Sequence, residues 1–464
     1  MNDQSMQLVL KNARYYQNGT FLQGDIWVSE GKIRAIMACG AGEPYPQGQV
    51  LDVEGLTVLP GLFDTHVHFR EPGYTQREGF FSGSMAAAAG GITAYFDMPN
   101  VMPPTNTAQT LQDRIALAEQ SSVVDFNFYA ALGYDNLDQL PELAKGGQVG
   151  FKTFLQAPPV GKEVEFKGMT AQDDGQLYWL IKQAAKHKKR CFFHCENHFV
   201  IAQMEEYLRK TGQTENNFHY LSRPNVAEVQ SVATVIQFAK AQDAKVGISH
   251  VSVTQAAQLI REAKAQGVDI VAETCYQYLT FDSSKIDLLG SYAKCNPPLR
   301  SKEDVEGLWE YINDGTISLM GSDHAPFLEE DKKMGDAPIW QAKSGLAGIE
   351  VLVPIMLTHV AENKLSLEKL VQLMSENPAK IFGLYPQKGT IAEGSDADFT
   401  IVNLNEKFSP DITKMVTKGR QNNLLFDGLK LQGRPRYTIV RGKIVMAEGL
   451  VDATCKGYGK FVRA

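Results

Sequence analysis

Eight short apolar runs, most of them carrying a polar or ionisable residue at or near the C-terminal end, constrain this chain more than any other feature. They read "LPGLFDTHVH", "GITAYFDMPN", "VDFNFYAAL", "QVGFKTFL", "RCFFHCEN", "KVGISHVS", "DIVAETC" and "TISLMGSD". Most neighbouring runs are separated by helix-like segments such as "TAQTLQDRIALAEQ" and "AEVQSVATVIQFAKAQ", where apolar residues recur at helical spacing. Strand and helix alternating eight times over roughly 300 residues fit either a doubly wound sheet or a (β/α)8 barrel. The polar ends separate the two. An open sheet spreads its strand ends along an edge, whereas a barrel gathers all eight at one mouth, where clustered His, Lys, Asp and Asn have a purpose. The pattern therefore predicts an α/β protein with a TIM-like barrel over residues 59–388.

The flanks differ in character. Residues 7–58 and the stretch from 389 onward carry Val, Ile and Thr alternating with polar residues around Gly, as in "DIWVSEGKIRAIM" and "YTIVRGKIVMAEGLV", which is strand rather than helix patterning. One small β-sandwich built from residues 1–58 and 389–464 is expected. A chain of 464 residues has the length for such a barrel plus an accessory unit. Its net charge of −7, without a Lys/Arg-rich run, excludes the electrostatic footprint of a nucleic-acid binder and favours a small-molecule partner. The N-terminal residues show no secretory signal and no membrane segment is expected, which points to the cytoplasm. Six cysteines lie scattered without CxxC spacing, so reduced, mostly buried thiols are expected.

Only nine histidines occur in the chain, and four close strands. His66 and His68 stand two apart at the end of the first run, His194 ends the fifth and His250 the sixth, while Asp323 ends the eighth. A lone HxH is weak evidence, but imidazoles and a carboxylate converging on one mouth are the donor set of zinc and neighbouring divalent metals. Lys152, at the end of the fourth run, is either a rim lysine or something more specific. Burial favours its neutral amine, which can take up carbon dioxide, and the resulting carbamate could bridge two metal ions.

The ordered set "DTHVHFREPG", "DMPN", "GFKTFL", "FFHCEN", "ISHVS", "KCNPPLR" and "GSDHAP", with "NPAKIFGL" and "GSDADFTIV" downstream, resembles the amidohydrolase superfamily. Within it the likeness is to the cyclic amide hydrolases, the branch of type I dihydroorotases, allantoinases and hydantoinases, and it extends over nearly the whole chain. The resemblance implies a barrel with a terminal β-sandwich, a centre of two divalent ions, most often zinc, and a homo-oligomer, dimer or tetramer. His66, His68 and Asp323 would hold the more buried ion, an N-carboxylated Lys152 would bridge, and His194 and His250 would hold the second. A water shared by two such ions ionises near neutral pH and attacks an amide carbon, with Asp323 relaying its proton to the leaving ring nitrogen.

The ring is the finer question. Arg70, two residues beyond His68, is placed to pair with a carboxylate through two parallel hydrogen bonds. In dihydroorotases an arginine at this motif position, the asparagine of "MPN" (Asn100) and that of "NPPLR" (Asn296) contact the substrate. Dihydroorotase, interconverting dihydroorotate and N-carbamoyl-aspartate in pyrimidine biosynthesis, is thus the first expectation. Two features run against it. Dihydroorotases read DHAPH where this chain has "DHAPF", so Phe327 replaces a donor, and "REGF" and "ETCYQYL" lean toward allantoinase. Allantoinase or a hydantoinase/dihydropyrimidinase-like ureide hydrolase is the alternative. A non-catalytic dihydropyrimidinase-like scaffold would have lost metal ligands, and none is missing here. Two long polar loops, "QAPPVGKEVEFKGMT" and "LEEDKKMGDAPIWQAKSG", are expected as lids over the mouth.

Overall fold

The computed structural model describes residues 7–41, 48–159, 161–213, 215–333 and 338–464. Val160, and residues 334–337 of the second expected lid, lie outside the described residues.

The chain enters through a sheet of β1 (Leu8–Gln17), β2 (Thr20–Ser29), β3 (Lys32–Met37), β4 (Gln49–Asp52) and β5 (Thr57–Pro60). The barrel follows: β6 (Leu62–Val67), β7 (Ile92–Asp97), β8 (Asp125–Ala131), β9 (Gly150–Phe154), β10 (Cys191–His194), β11 (Val246–Ile248), β12 (Ile270–Cys275) and β13 (Leu319–Gly321). These eight strands correspond one to one with the eight apolar runs. They pair in sequential order and in parallel. Every residue of β6 to β13 is buried, because helices cover the outside and side chains fill the inside, which is why the runs read as continuous apolar segments.

The helices form for visible reasons. Asp174–Ala185 is capped by Asp173, whose side chain accepts from Gln176 N, and it buries Leu177, Leu180, Ile181 and Ala184, the spacing of one helix face. Lys302–Asn313 is capped by Ser301 and buries Val305, Leu308, Trp309 and Ile312 in the same way.

The barrel closes between its last and first strands. Ser322 N donates to Asp64 Oδ1 at 2.9 Å, His68 N donates to the His324 carbonyl at 2.8 Å, and Val67 bridges His324 in parallel. His324 is fully buried in this seam rather than turned to the mouth. At the opposite end the interior is plugged by Phe382, whose ring meets Phe96 at 5.0 Å and Phe192 at 5.8 Å.

After the barrel, β14 (Phe399–Phe408), β15 (Leu431–Val440), β16 (Lys443–Ala447) and β17 (Leu450–Val451) rejoin the entry strands. The order is β17-β16-β15-β14-β5-β1-β2-β3, with β4 also on β1. Both ends of the chain thus build one accessory β unit, with a core of its own that includes Leu10, Ile26, Val58, Phe399 and Ile439. The passage from β5 to β6 needs Gly61, since a Cβ there would sit 2.4 Å from Thr93 Oγ1 and 2.6 Å from Asp398 Cβ.

Lys388 ties the two units together. Its buried ammonium lies 2.7 Å from Asp125 at the start of β8, 3.0 Å from Asp396 and 2.6 Å from Asp398 beside β14. Burial alone would lower its pKa, but Asp398 and Asp396 outweigh that and raise it, so the ion pair persists at any physiological pH. Removing one partner of such a cluster strands buried charge. Lys388→Met is expected to cost about 3 kcal/mol or more, read as a lowered midpoint in denaturant unfolding; an unchanged midpoint would show that the cluster contributes nothing.

Candidate metal centre and substrate cavity

One cavity of ≈ 350 Å³ opens at the C-terminal mouth of the barrel, and its lining includes every residue singled out by sequence: His66, His68, Arg70, Asn100, Lys152, His194, His250, Asn296 and Asp323. Three of these hold left-handed backbone, with φ of 40° at Arg70, 39° at His250 and 48° at Asp323. Such a conformation costs a non-glycine residue on the order of 1 kcal/mol. Strain at three points of one cavity marks side chains held to a geometry that relaxed strand ends would not provide.

The proton positions follow from the neighbours. His66 Nδ1 donates to Glu273 Oε1 at 2.7 Å, and His68 Nδ1 donates to Asn100 Oδ1 at 2.8 Å. Each ring therefore presents Nε2 as a bare lone pair. Both lone pairs face the same atom, Asp323 Oδ1, at 3.4 Å from His66 and 3.1 Å from His68. Three acceptors, within 4.8 Å of one another, have no proton to share unless one ring charges. Charging is opposed: burial, with Arg70 adding to it, pushes His68 down to about 3. A cation satisfies all three at once, so the donor set fits a divalent metal.

In the second pair only one ring is held by an oxygen acceptor, His250 Nδ1 being buried without a partner. His194 Nε2 donates to Glu196 Oε2 at 2.9 Å, which leaves Nδ1 bare, 2.9 Å from His250 Nε2. Burial holds the pKa of His194 low, and burial with the adjacent His194 and Lys152 holds that of His250 far lower. Glu196 is itself anchored by Arg223 at 2.5 Å. Between the two histidine pairs Lys152 is fully buried, with Nζ donating to Ser249 Oγ at 2.6 Å. Burial pulls its pKa down to about 8, against the fields of Glu273 and Asp323. Asp323 remains ionised, its pKa lowered despite burial.

Beside this centre Arg70 is 5% exposed, its Nε has no partner, and its guanidinium lies 4.9 Å from the ring centroid of Phe327. Asn296 Oδ1 is likewise buried without a partner. Asn100 has spent its oxygen on His68. The first expected lid supplies Gln156, Pro159, Lys162 and Phe166 to the wall, and the second supplies residues 340–345.

Several site residues escaped the sequence reading. Glu273 is the main one: a fully buried strand carboxylate that also accepts from Thr65 Oγ1 at 2.7 Å. An acidic residue inside an apolar run, as in "DIVAETC", is the signal that would have found it. Glu196 and Ser249 sit beside recognised motif residues, and His219 is buried in the cavity wall with Nε2 donating to the Cys295 carbonyl at 2.8 Å.

The barrel carries a donor set that fits a divalent metal at its mouth, and comparison with known proteins gives the fold a family. The amidohydrolase family profile matches residues 57–445. An allantoinase from Deinococcus radiodurans is 36% identical over 448 residues, 94% of this chain and 97% of that one. A dihydroorotase from Methanothermobacter thermautotrophicus is 33% identical over 457 residues, 98% of this chain and 97% of that one. The solved L-hydantoinase (dihydropyrimidinase) from Arthrobacter aurescens superimposes with a TM-score of 0.93 at 32% identity, covering 99% of this chain and 100% of that one. The chain belongs to the amidohydrolase family, in the cyclic amide hydrolase branch that its motifs resemble. The relatives carry all three activities by name, so dihydroorotase, the first expectation, is not favoured over its alternative.

Orientation of a histidine ligand by a carboxylate is worth about 10- to 100-fold in metal affinity. Glu273→Gln is expected to weaken divalent-cation binding by about that factor, measured by competition with a chelator. Unchanged affinity would mean that the His66–Glu273 hydrogen bond does not prepare the ring.

Proposed function

We propose that the chain hydrolyses the amide bond of a cyclic ureide of the hydantoin or allantoin kind, with two divalent cations held by His66, His68, Asp323, His194 and His250. Lys152, N-carboxylated, completes the set. Zinc suits this mixture of imidazole and carboxylate oxygen. Ions bound there would lower the pKa of a shared water and polarise the ring carbonyl.

The side chains supply the rest. Asp323, ionised and in reach of both His66 and His68, accepts a proton from the attacking water as its oxygen bonds to the carbonyl carbon. It returns that proton to the ring nitrogen as the C–N bond breaks. One water is consumed, and the product is an N-carbamoyl acid. Asn296 Oδ1 is free to accept a ring N–H, and fixing the ring against the centre removes much of the entropic barrier.

The observation that carries the choice of ring is Phe327. It occupies the position from which a histidine would donate to a substrate carboxylate in dihydroorotases, and it is buried with its ring centroid 4.9 Å from the Arg70 guanidinium instead. Relatives named allantoinase and L-hydantoinase support the same reading. Dihydroorotate is kept as a second reading because Arg70 still presents an unpaired guanidinium.

Turnover of zinc-reconstituted protein on hydantoin, allantoin, dihydrouracil and dihydroorotate in parallel tests the assignment. The five-membered rings are expected to lead, and Phe327→His is expected to move preference toward dihydroorotate by about tenfold, the value of one charge-assisted hydrogen bond. Dihydroorotate leading in the unaltered protein would reverse the choice.

The carbamate has its own test. With a pKa of about 8, about one Lys152 amine in ten is neutral at pH 7, against about one in three thousand for an ordinary lysine. Because only the neutral amine reacts, the rate of metal-and-CO2 reactivation of the apoprotein should climb with pH up to about 8 and level above it, followed at fixed dissolved CO2 by incorporation of labelled carbon. A rate indifferent to pH over that interval would remove Lys152 from the step.

A further inference from the structure

The two halves of the metal centre are prepared by different side chains. On one side Glu273 holds His66 and Asn100 holds His68. Behind His194 and His250 lie four charged groups that the proton transfers above do not use. Glu196, Glu228 and Arg300 are buried, and Arg223 reaches in from the cavity wall.

Arg223 sits in the turn between the helices Phe218–Leu221 and Asn225–Gln242. Its Nη1 donates to Glu196 Oε2 at 2.5 Å, the same oxygen that accepts from His194 Nε2 at 2.9 Å. Glu196 Oε1 is buried without a partner. Among the described residues Arg223 is therefore the one anchor of this carboxylate besides the ring it orients. Glu196 has rotatable bonds of its own, so a carboxylate bound to nothing but the ring would follow the ring rather than hold it.

Arg300 supports both ligands from behind. Its Nη1 donates to the Arg223 carbonyl at 2.5 Å, its Nε to Ser252 Oγ at 2.9 Å and its Nη2 to Glu228 Oε2 at 3.0 Å. Glu228 accepts from Ser252 N at 2.8 Å and from the Ser252 hydroxyl. Ser252 lies two residues beyond His250, whose backbone is left-handed and whose Nδ1 has no partner. The His250 ring is thus set by the course of its backbone, which Ser252 pins. This network and the one behind His66 and His68 touch where His250 N reaches Glu273 Oε1, at a long 3.4 Å.

We propose that Arg223 is a positioning residue for the second cation. Through Glu196 it holds His194 with Nδ1 toward the ion, in a network that His66, His68 and Asp323 do not share, so the second ion is weakened alone when Arg223 is lost. This rests on the two-cation reading above and adds to it the side chain on which one of the two ions depends. Arg223 also lines the cavity, so the anchor of this ligand is part of the substrate wall.

The test is zinc release from the full-length, zinc-loaded protein to a chromophoric chelator, with circular dichroism confirming that each variant is folded. The unaltered protein should yield two ions per chain. Arg223→Met should weaken one of them by about tenfold and spare the other, and Arg223→Lys, which keeps a donor for Glu196, should recover most of the loss. Glu273→Gln should weaken the other ion, so that the double variant weakens both. With Glu196→Ala already in place, Arg223→Met should add little, because the path to His194 is already cut. Both ions weakened alike by Arg223→Met, or neither, would overturn the inference and leave the two-cation reading standing. A double variant that spares one ion, or an Arg223→Lys no better than Arg223→Met, would do the same. Fewer than two ions on the unaltered protein would overturn the two-cation reading and this inference with it.

Discussion

Closure of the barrel is the constraint on which the site depends. A parallel sheet of eight strands can remain open, and then its first and last edges lie far apart. Here the backbone of His68 donates to the carbonyl of His324 at 2.8 Å, and Ser322 N donates to Asp64 Oδ1 at 2.9 Å. The segments joined by these bonds are the ones that carry His66, His68 and Asp323. The seam therefore assembles the three-acceptor cluster as a by-product of pairing, from residues 255 apart in sequence for His68 and Asp323. Stability and chemistry share hydrogen bonds at this seam, and damage to the closure would disperse the donor set before any ligand is lost.

Burial then does what the residue types alone do not. In water, a histidine is partly protonated near neutral pH and a lysine almost wholly so. Inside this mouth both are pushed toward their neutral forms, His68 to about 3 and Lys152 to about 8, because desolvation penalises the charged form. Neutral imidazoles are metal ligands and a neutral amine is a nucleophile. The carboxylates respond in the opposite sense to their surroundings. Glu196 is buried yet remains ionised, because Arg223 and His194 outweigh desolvation, and the pKa of Asp323 is likewise lowered despite its burial. A set of bases stripped of protons beside a set of acids stripped of protons has one simple complement, a divalent cation.

Much of this was legible in the sequence because it lies in local signals. Each strand is one apolar run, and each candidate ligand lies on a strand or within two residues of its end, so position along the run reported position in the mouth. The accessory sheet was legible through alternation at both termini. What remained hidden depends on which side chains meet across the barrel. Glu273 reads as one acidic residue in "DIVAETC" until its carboxylate is found on His66, from a strand on the far side of the chain. His219 reads as a helix histidine until its short helix is seen folded over the cavity wall. The tie that Lys388 makes between the two units is hidden for the same reason, since one of its partners, Asp125, lies 263 residues away in sequence.

Phe327 shows how such meetings change the meaning of a motif. Read singly, Arg70 speaks for a carboxylated ring and Phe327 against it, since one residue offers a donor fork and the other removes a donor. In the structure they are one contact. The phenyl ring cannot hydrogen-bond a carboxylate, but with its centroid 4.9 Å from the Arg70 guanidinium it offers that cation an aromatic surface instead. A histidine in that place would compete for the same anion as a second donor, whereas an aromatic platform leaves recognition to the arginine edge and adds apolar surface for the ring. The departure from the dihydroorotase pattern is thus compatible with retention of Arg70.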